Sequence, residues 1–357
     1  MRYTSLKAPF TAHILLWLSS TVGKNPKQNK RRRSGRMRGS MIKEEFYYDS
    51  RDGVSKLHAV RYVPDGDEEI RCVVQIVHGM AEYVERYEAF AEYLTARGYV
   101  VTGEDHMGHG KSVGKDGKFG YFCEQDPATV LVRDVHRLKR ATQELYPNVP
   151  YIILGHSMGS FIARNYMFRY GTGIKAAIIM GTGMTPKNVL NLSKIVVGIQ
   201  KIFLGPKHVS EFINKLAFGK YNAEINNPRT QFDWLSRDDE SVDKSIADPL
   251  CGFTFTTNGF STLFELIMRL HRQENLERVP KDIPLFIVSG TADPVGDYGK
   301  GVRKTYDSLR AVGLENIQMK LYEGGRHELL NETNRGAVAE DIYNWIEEYV
   351  LHVSEQE

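Results

Sequence analysis

Cysteine is scarce in this chain: Cys72, Cys123 and Cys251 are the only three in 357 residues. Three thiols cannot build a disulfide framework, and their spacing matches no zinc-binding arrangement. They are expected as reduced, mostly buried thiols in a cytoplasmic enzyme. Long apolar runs are missing too. No stretch of about 20 apolar residues occurs and mean hydropathy is −0.38, which excludes a polytopic membrane protein. Acidic residues are absent from residues 1–40, where ten Lys and Arg stand. Taking those ten from the 47 Lys and Arg leaves 37 against 44 Asp and Glu, a net of −7, although the whole chain carries +3. A body with that balance is not expected to bind nucleic acid.

What is present is ordinary globular usage, 41% hydrophobic and 25% charged, which excludes a disordered or fibrous chain. The length suits one large α/β domain with an insertion. The apolar segment 8–18 behind Arg2 and Lys7 has the outline of a signal peptide, but it lacks an A-x-A-like cleavage site and is too short to span a bilayer. The block Lys30 to Arg33 has the charge to meet anionic lipid or nucleic acid. Nothing periodic builds a core there. Residues 1–40 are therefore expected as a disordered basic extension whose deletion leaves folding and activity intact. Translation from Met37 or Met41 would omit it.

From residue 42 onward the pattern is regular. Residues 44–48 and 57–62 read as two strands joined at Asp52-Gly53. Short apolar strands then follow at 72–77, 99–101, 151–154, 176–180, 284–288 and 317–321. Between them helical periodicity marks 87–97, 127–146, 157–170, 300–312 and 335–350. Continuous apolar strands alternating with helices predict an α/β fold: a mostly parallel sheet covered on both faces, with an antiparallel opening hairpin. The alternation breaks between Gly183 and Gly252, which looks helical. Residues 41–183 and 253–357 are read as the core, and 184–252 as a helical cap over the carboxyl ends of the strands.

Gly155-His156-Ser157-Met158-Gly159 fits G-x-S-x-G between a strand and a helix. The chemistry explains the spacing. A nucleophilic serine must sit on a sharp turn, and residues two before and two after must be small to avoid the adjacent strand and helix. The helix N-terminus then favours a developing oxyanion. A serine needs a base, and the base needs an orienting acid. Asp293 follows the strand at 284–288 and His327 follows the strand at 317–321, on the same sheet edge as Ser157. The rivals are weaker: Asp282 precedes its strand, Asp297 lies further from the strand end, and His271 and His352 stand in polar stretches. Two backbone N–H groups are expected to form the oxyanion hole, from Met158 after the nucleophile and from Met80 in His78-Gly79-Met80-Ala81-Glu82. Asp105-His106-Met107-Gly108-His109 brings two histidines and a carboxylate together, but too few ligands for zinc. It is read as a structural loop, with no metal and no cofactor expected.

Together these segments resemble the α/β-hydrolases that include monoacylglycerol lipases and bacterial lysophospholipases. The resemblance rests on residues 78–82 with Arg86-Tyr87, then 105–112, 155–159, 290–295 and 322–328, and it covers about residues 42–350. It implies an α/β-hydrolase fold, a helical cap and hydrolysis of an ester of one acyl chain. Ser157, Asp293 and His327 would form the triad, with Met80 and Met158 as oxyanion donors. Ala81 and Tyr83 depart from the usual H-G-x-G-E-H, and Ser160 stands where glycine is common. Residues 229–238 are similar to the bacterial branch. An aminopeptidase is the alternative within the fold; it would need a free acid for the substrate's amino group, such as Asp233 or Glu240. A non-catalytic binding protein of the same fold is the alternative outside enzymes. Substrate-binding residues are not assigned by the sequence.

One cap helix stands out. Val189, Leu192, Ile195, Val196, Ile199, Ile202 and Phe203 keep helical spacing, and Lys187, Lys194 and Lys201 recur every seven residues. The expectation is an apolar face lining an acyl tunnel or resting on lipid, with a solvated lysine stripe drawn to anionic surfaces. This makes the protein cytoplasmic with peripheral membrane contact through the cap.

Overall fold

The computed structural model describes residues 41–66 and 69–352; the basic extension 1–40 lies outside the described residues. Eight strands form one sheet: β1 (Met41–Asp49), β2 (Lys56–Pro64), β3 (Cys72–Val77), β4 (Tyr99–Glu104), β5 (Tyr151–His156), β6 (Ala176–Met180), β7 (Leu285–Gly290) and β8 (Ile317–Tyr322). Their order is β1-β2-β4-β3-β5-β6-β7-β8. The β1–β2 hairpin is antiparallel and pairs antiparallel with β4; every other pairing is parallel.

Strands β3 to β7 are buried along their whole length, as a sheet covered on both faces requires. Alternate side chains feed two cores. Val73, Val100, Ile153, Ala177 and Ile287 point to one face, under α2 (Pro127–Leu145), α3 (Met158–Tyr170) and α7 (Thr257–Arg269). Val74, Val101, Ile152, Ile178 and Val288 point to the other, under α1 (Glu88–Thr95) and α10 (Arg335–Ile346).

The order β4-β3-β5 means the chain leaves β3 on one side and returns on the other. The onward connections from the neighbouring strands β3 and β5 therefore run to opposite sides, which opens at the carboxyl edge the crevice where open α/β sheets bind ligands. Between β6 and β7 come α4 (Lys187–Leu204), α5 (Glu211–Phe218), α6 (Asp239–Ala247), α7 and α8 (Gln273–Glu277); α9 (Lys300–Ala311) links β7 to β8. No helix among the described residues is long and apolar enough to cross a membrane.

Helix α4 departs from the reading of its periodicity at its lysines, while Val189, Leu192 and Val196 of its apolar set border a cavity. Leu190 and Val197 are its buried residues, and beside them Lys194 pairs with Glu265 of α7 at 2.7 Å. Lys194 and Lys201 both line the seam shared with α7 and the start of α2. The apolar residues Leu192, Ile195, Ile199, Ile202 and Phe203 face outward, Ile202 and Phe203 each 80% exposed. The lysine stripe thus flanks the body contact, and the wide apolar face is the free one.

Candidate active site

Ser157 ends β5 at the N-cap of α3 with φ 54° and ψ −120°, a left-handed conformation that non-glycine residues avoid. Its side chain caps no helix N–H, although serine is a favoured capping residue. The hydroxyl lines a cavity of about 1060 Å³ instead. The small flanking residues are required sterically. A Cβ at Gly159 would overlap the Val77 carbonyl, and one at Gly155 would overlap the Gly159 carbonyl. Ser160, where glycine is common, fits because its hydroxyl donates to the Ser157 carbonyl at 2.6 Å.

Asp293 and His327 come from the loops after β7 and β8. His327 Nδ1 lies 2.9 Å from Asp293 Oδ2. That carboxylate is fully buried and also accepts from Ser289 Oγ (3.2 Å) and Val295 N (2.9 Å). His327 lines the same cavity as Ser157, and Asp293 reaches that wall through its bond to His327. Met80 and Met158 line it too. Gly79 brings the first loop against the nucleophile: a Cβ there would stand 3.0 Å from Ser157 Cβ. Ala81 takes φ 55°, the conformation that explains why glycine is usual at that position. Tyr83, in place of the usual histidine, donates to Asp248 at 2.8 Å and ties the loop to the segment after α6.

Other groups sit beneath these. Glu82 is buried and gathers the Gly79 N–H (2.5 Å), the Tyr87 hydroxyl (2.9 Å), Arg86 (2.9 Å) and His156 Nδ1 (3.0 Å). His156 Nε2 in turn lies 3.3 Å from the His327 carbonyl. Arg86 also holds Glu328 through two 2.8 Å bonds. Burial opposes charge on His156, yet the Glu82 carboxylate outweighs it and raises the imidazole's pKa. Burial likewise opposes charge on both carboxylates. His156 beside Glu82 and Arg86 beside Glu328 offset it, so both sit below the ordinary range. Sequence reasoning assigned none of these four a role. Their only signal was membership in the motif segments, because the contacts join loops after β3, β5 and β8.

The histidine-rich loop after β4 lies inside the structure. Asp105 accepts from the Val84 and Lys111 N–H groups and pairs with His58, and His106 and His109 are buried against backbone carbonyls. Burial pulls His109 down to about 3. Among the described residues, no three His, Cys, Asp or Glu side chains are grouped to hold a metal. Cys251 borders the cavity as a neutral thiol, pushed up by burial to about 12.

Residues 68–334 match the family described as serine aminopeptidase, S33. The chain belongs to that family. Among the S33 relatives, a monoacylglycerol lipase of Mycolicibacterium smegmatis is 29% identical over 82% of this chain and 94% of its own. Human monoglyceride lipase is 28% identical over 77% of this chain and 82% of its own. The solved structure of a highly thermostable carboxyl esterase from Bacillus coagulans, in complex with glycerol, superposes with a TM-score of 0.80 at 30% identity, covering 87% of this chain and all of that one. The fold of this S33 member is the α/β-hydrolase fold, and it is a hydrolase of that fold.

Proposed function

We propose that this protein is a serine esterase that hydrolyses a lipid ester with one acyl chain and a neutral glycerol head, a monoacylglycerol. Ser157 Oγ attacks the ester carbonyl while His327 takes its proton, and Asp293 holds the imidazole in the required tautomer. The N–H groups of Met80 and Met158 receive the developing oxyanion. Collapse of the tetrahedral adduct breaks the ester C–O bond, and His327 returns the proton to the departing glycerol oxygen. Water, deprotonated by His327, then attacks the acyl-enzyme and releases the fatty acid.

The observation that carries the acyl-chain reading is the cavity itself. Ser157 and His327 open onto walls of Phe161, Leu263, Phe264, Ile267, Val196 and Ile213, an apolar space of the size that takes a whole lipid-like ligand. Charge pairing supports the neutral head. The buried charged groups of the wall, Glu82, Arg86 and Glu328, are paired with one another and with His156, so none of the buried cations described there is left for a phosphate. Glu211 and Lys215 of the same wall are exposed. An aminopeptidase reading lacks its anchor: Asp233 is occupied by Arg229 N and Thr230 Oγ1, and the exposed Glu240 pairs with Lys244. We read residues 184–252 as the cap and the exposed face of α4 and α5, with Phe212 and Leu216 61% and 63% exposed, as its contact with lipid aggregates.

Fluorophosphonate labelling tests the chemistry. One adduct is expected, on Ser157, and Ser157→Ala should abolish it. Asp293→Asn should lower kcat on a soluble p-nitrophenyl ester by about 10⁴-fold with the fold intact. Near-normal turnover in that variant would show that another acid serves His327.

A further inference from the structure

Residues 229–238, set apart in the sequence by their pattern, take no part in the reaction above, yet they meet the general base directly. Asp233 fixes a tight turn by accepting from Arg229 N (2.5 Å) and Thr230 Oγ1 (2.5 Å). Four successive carbonyls of that turn are then taken by three successive residues of the histidine loop. The Arg326 guanidinium donates to Asp233 O (2.7 Å) and Ser236 O (2.8 Å). The His327 N–H donates to Trp234 O (3.4 Å), and the Glu328 N–H donates to Leu235 O (2.7 Å).

A second tie closes the same junction. Glu332 is fully buried and accepts from Arg326 N (2.9 Å), Arg237 N (3.0 Å) and Arg237 Nε (2.9 Å). The Trp234 ring lies 5.1 Å from the His327 ring, inclined at 41°. The Trp234 ring is braced by Tyr221, 4.8 Å away, and its backbone N–H donates to Asn222 Oδ1 at 2.9 Å.

We propose that the segment Asp233 to Arg237 is a positioning device for His327: the cap supplies the template that sets the base's backbone, and Arg326, Arg237 and Trp234 are positioning residues. The alignment has two ends. Asp293 fixes the ring at Nδ1, and the turn fixes the main chain from which the ring projects. A His327 held only at Nδ1 could pivot about that bond, and a displacement near 1 Å costs about 100-fold in rate. This rests on the reading of His327 as general base.

The test uses the full chain and a soluble short-chain ester. Arg326→Ala removes two bonds of the template without touching the cavity wall. Its kcat should fall by about 100-fold with KM within about twofold. The downfield proton resonance of the His327 Nδ1–H in its bond to Asp293 should broaden. Arg326→Lys, which keeps one donor, should recover at least about tenfold of the loss. If Arg326→Ala does not fold, Arg237→Gln is read the same way, and a drop in kcat without a change in KM is again expected. Normal kcat and a sharp resonance in a folded variant, with only the melting temperature lowered, would overturn the proposal and leave the segment as a cap anchor. His327→Ala separates the two readings. Activity retained there would remove His327 as base, whereas activity lost there but kept in Arg326→Ala would remove only the positioning role.

Discussion

At Asp134 burial and hydrogen bonding pull in opposite directions. The carboxylate on α2 accepts from Ser50 Oγ (2.7 Å) and Arg51 N (2.6 Å), pinning the turn of the opening hairpin. Burial nevertheless dominates and raises it from 3.8 to about 7. Because the folded pKa lies above the unfolded one, the native state binds the extra proton, and the contribution of Asp134 to stability falls as pH rises between 3.8 and about 7. The loss is on the order of 4 kcal/mol. Burial drives Glu104 upward as well, so its contribution has the same sign. Asp134→Asn, whose amide still accepts from Arg51 while Ser50 turns to accept from it, should be more stable than the parent at pH 8 and similar at pH 4. Urea midpoints across that range check this; a stability difference between variant and parent that does not widen from pH 4 to pH 8 would contradict it. No sequence pattern announces such a group. Ser157, Gly155 and Gly159 were legible because a steric requirement acts within five consecutive residues. Glu82 and His156 were not, because their contact spans 74 positions.

A helix repeats its faces faithfully, but periodicity alone does not say which face meets the body. In α4 the spacing identified the apolar residues correctly, while the partner was supplied by α7. Glu265 claims Lys194, so Lys194 and Lys201 lie beside the contact made by Leu190 and Val197, while Lys187 stays exposed. The apolar side is left to solvent, where each large side chain withdrawn from water contributes about 1.5–3 kcal/mol. Ile199, Ile202 and Phe203→Ser should therefore weaken partition onto phosphatidylcholine vesicles by more than about tenfold. Lys187, Lys194 and Lys201→Gln should change it by less than about twofold, also on vesicles with added anionic lipid. Flotation assays distinguish the two, and loss of binding in the lysine variant alone would restore the electrostatic reading. The strands of the sheet were legible because they are short, apolar and buried on both sides. The helices α7 and α8 before β7 were not placed, because their residues follow no strand that would start a new repeat.

For the whole molecule, the strand order does what no local motif can. It places the loops after β3 and β5 side by side and carries β7 and β8 to the same edge, so residues 80, 157, 293 and 327 converge from four loops. Chain order and strand alternation made that convergence readable from sequence; the cavity's charge pairing was not readable, since Arg86 finds Glu328 across 242 positions. The account stands on that pairing: a largely apolar cavity that Ser157, the proposed nucleophile, borders, with its buried charged groups paired. The most direct measurement is kcat/KM for a long-chain monoacylglycerol, the matching lysophosphatidylcholine and an aminoacyl amide, made with one preparation and with Ser157→Ala as the blank. The monoacylglycerol should lead by at least about 100-fold, the discrimination expected when a charged group would be buried without a partner. Equal or faster turnover of the lysophospholipid would contradict the neutral-head assignment, and a faster amide would contradict the esterase itself.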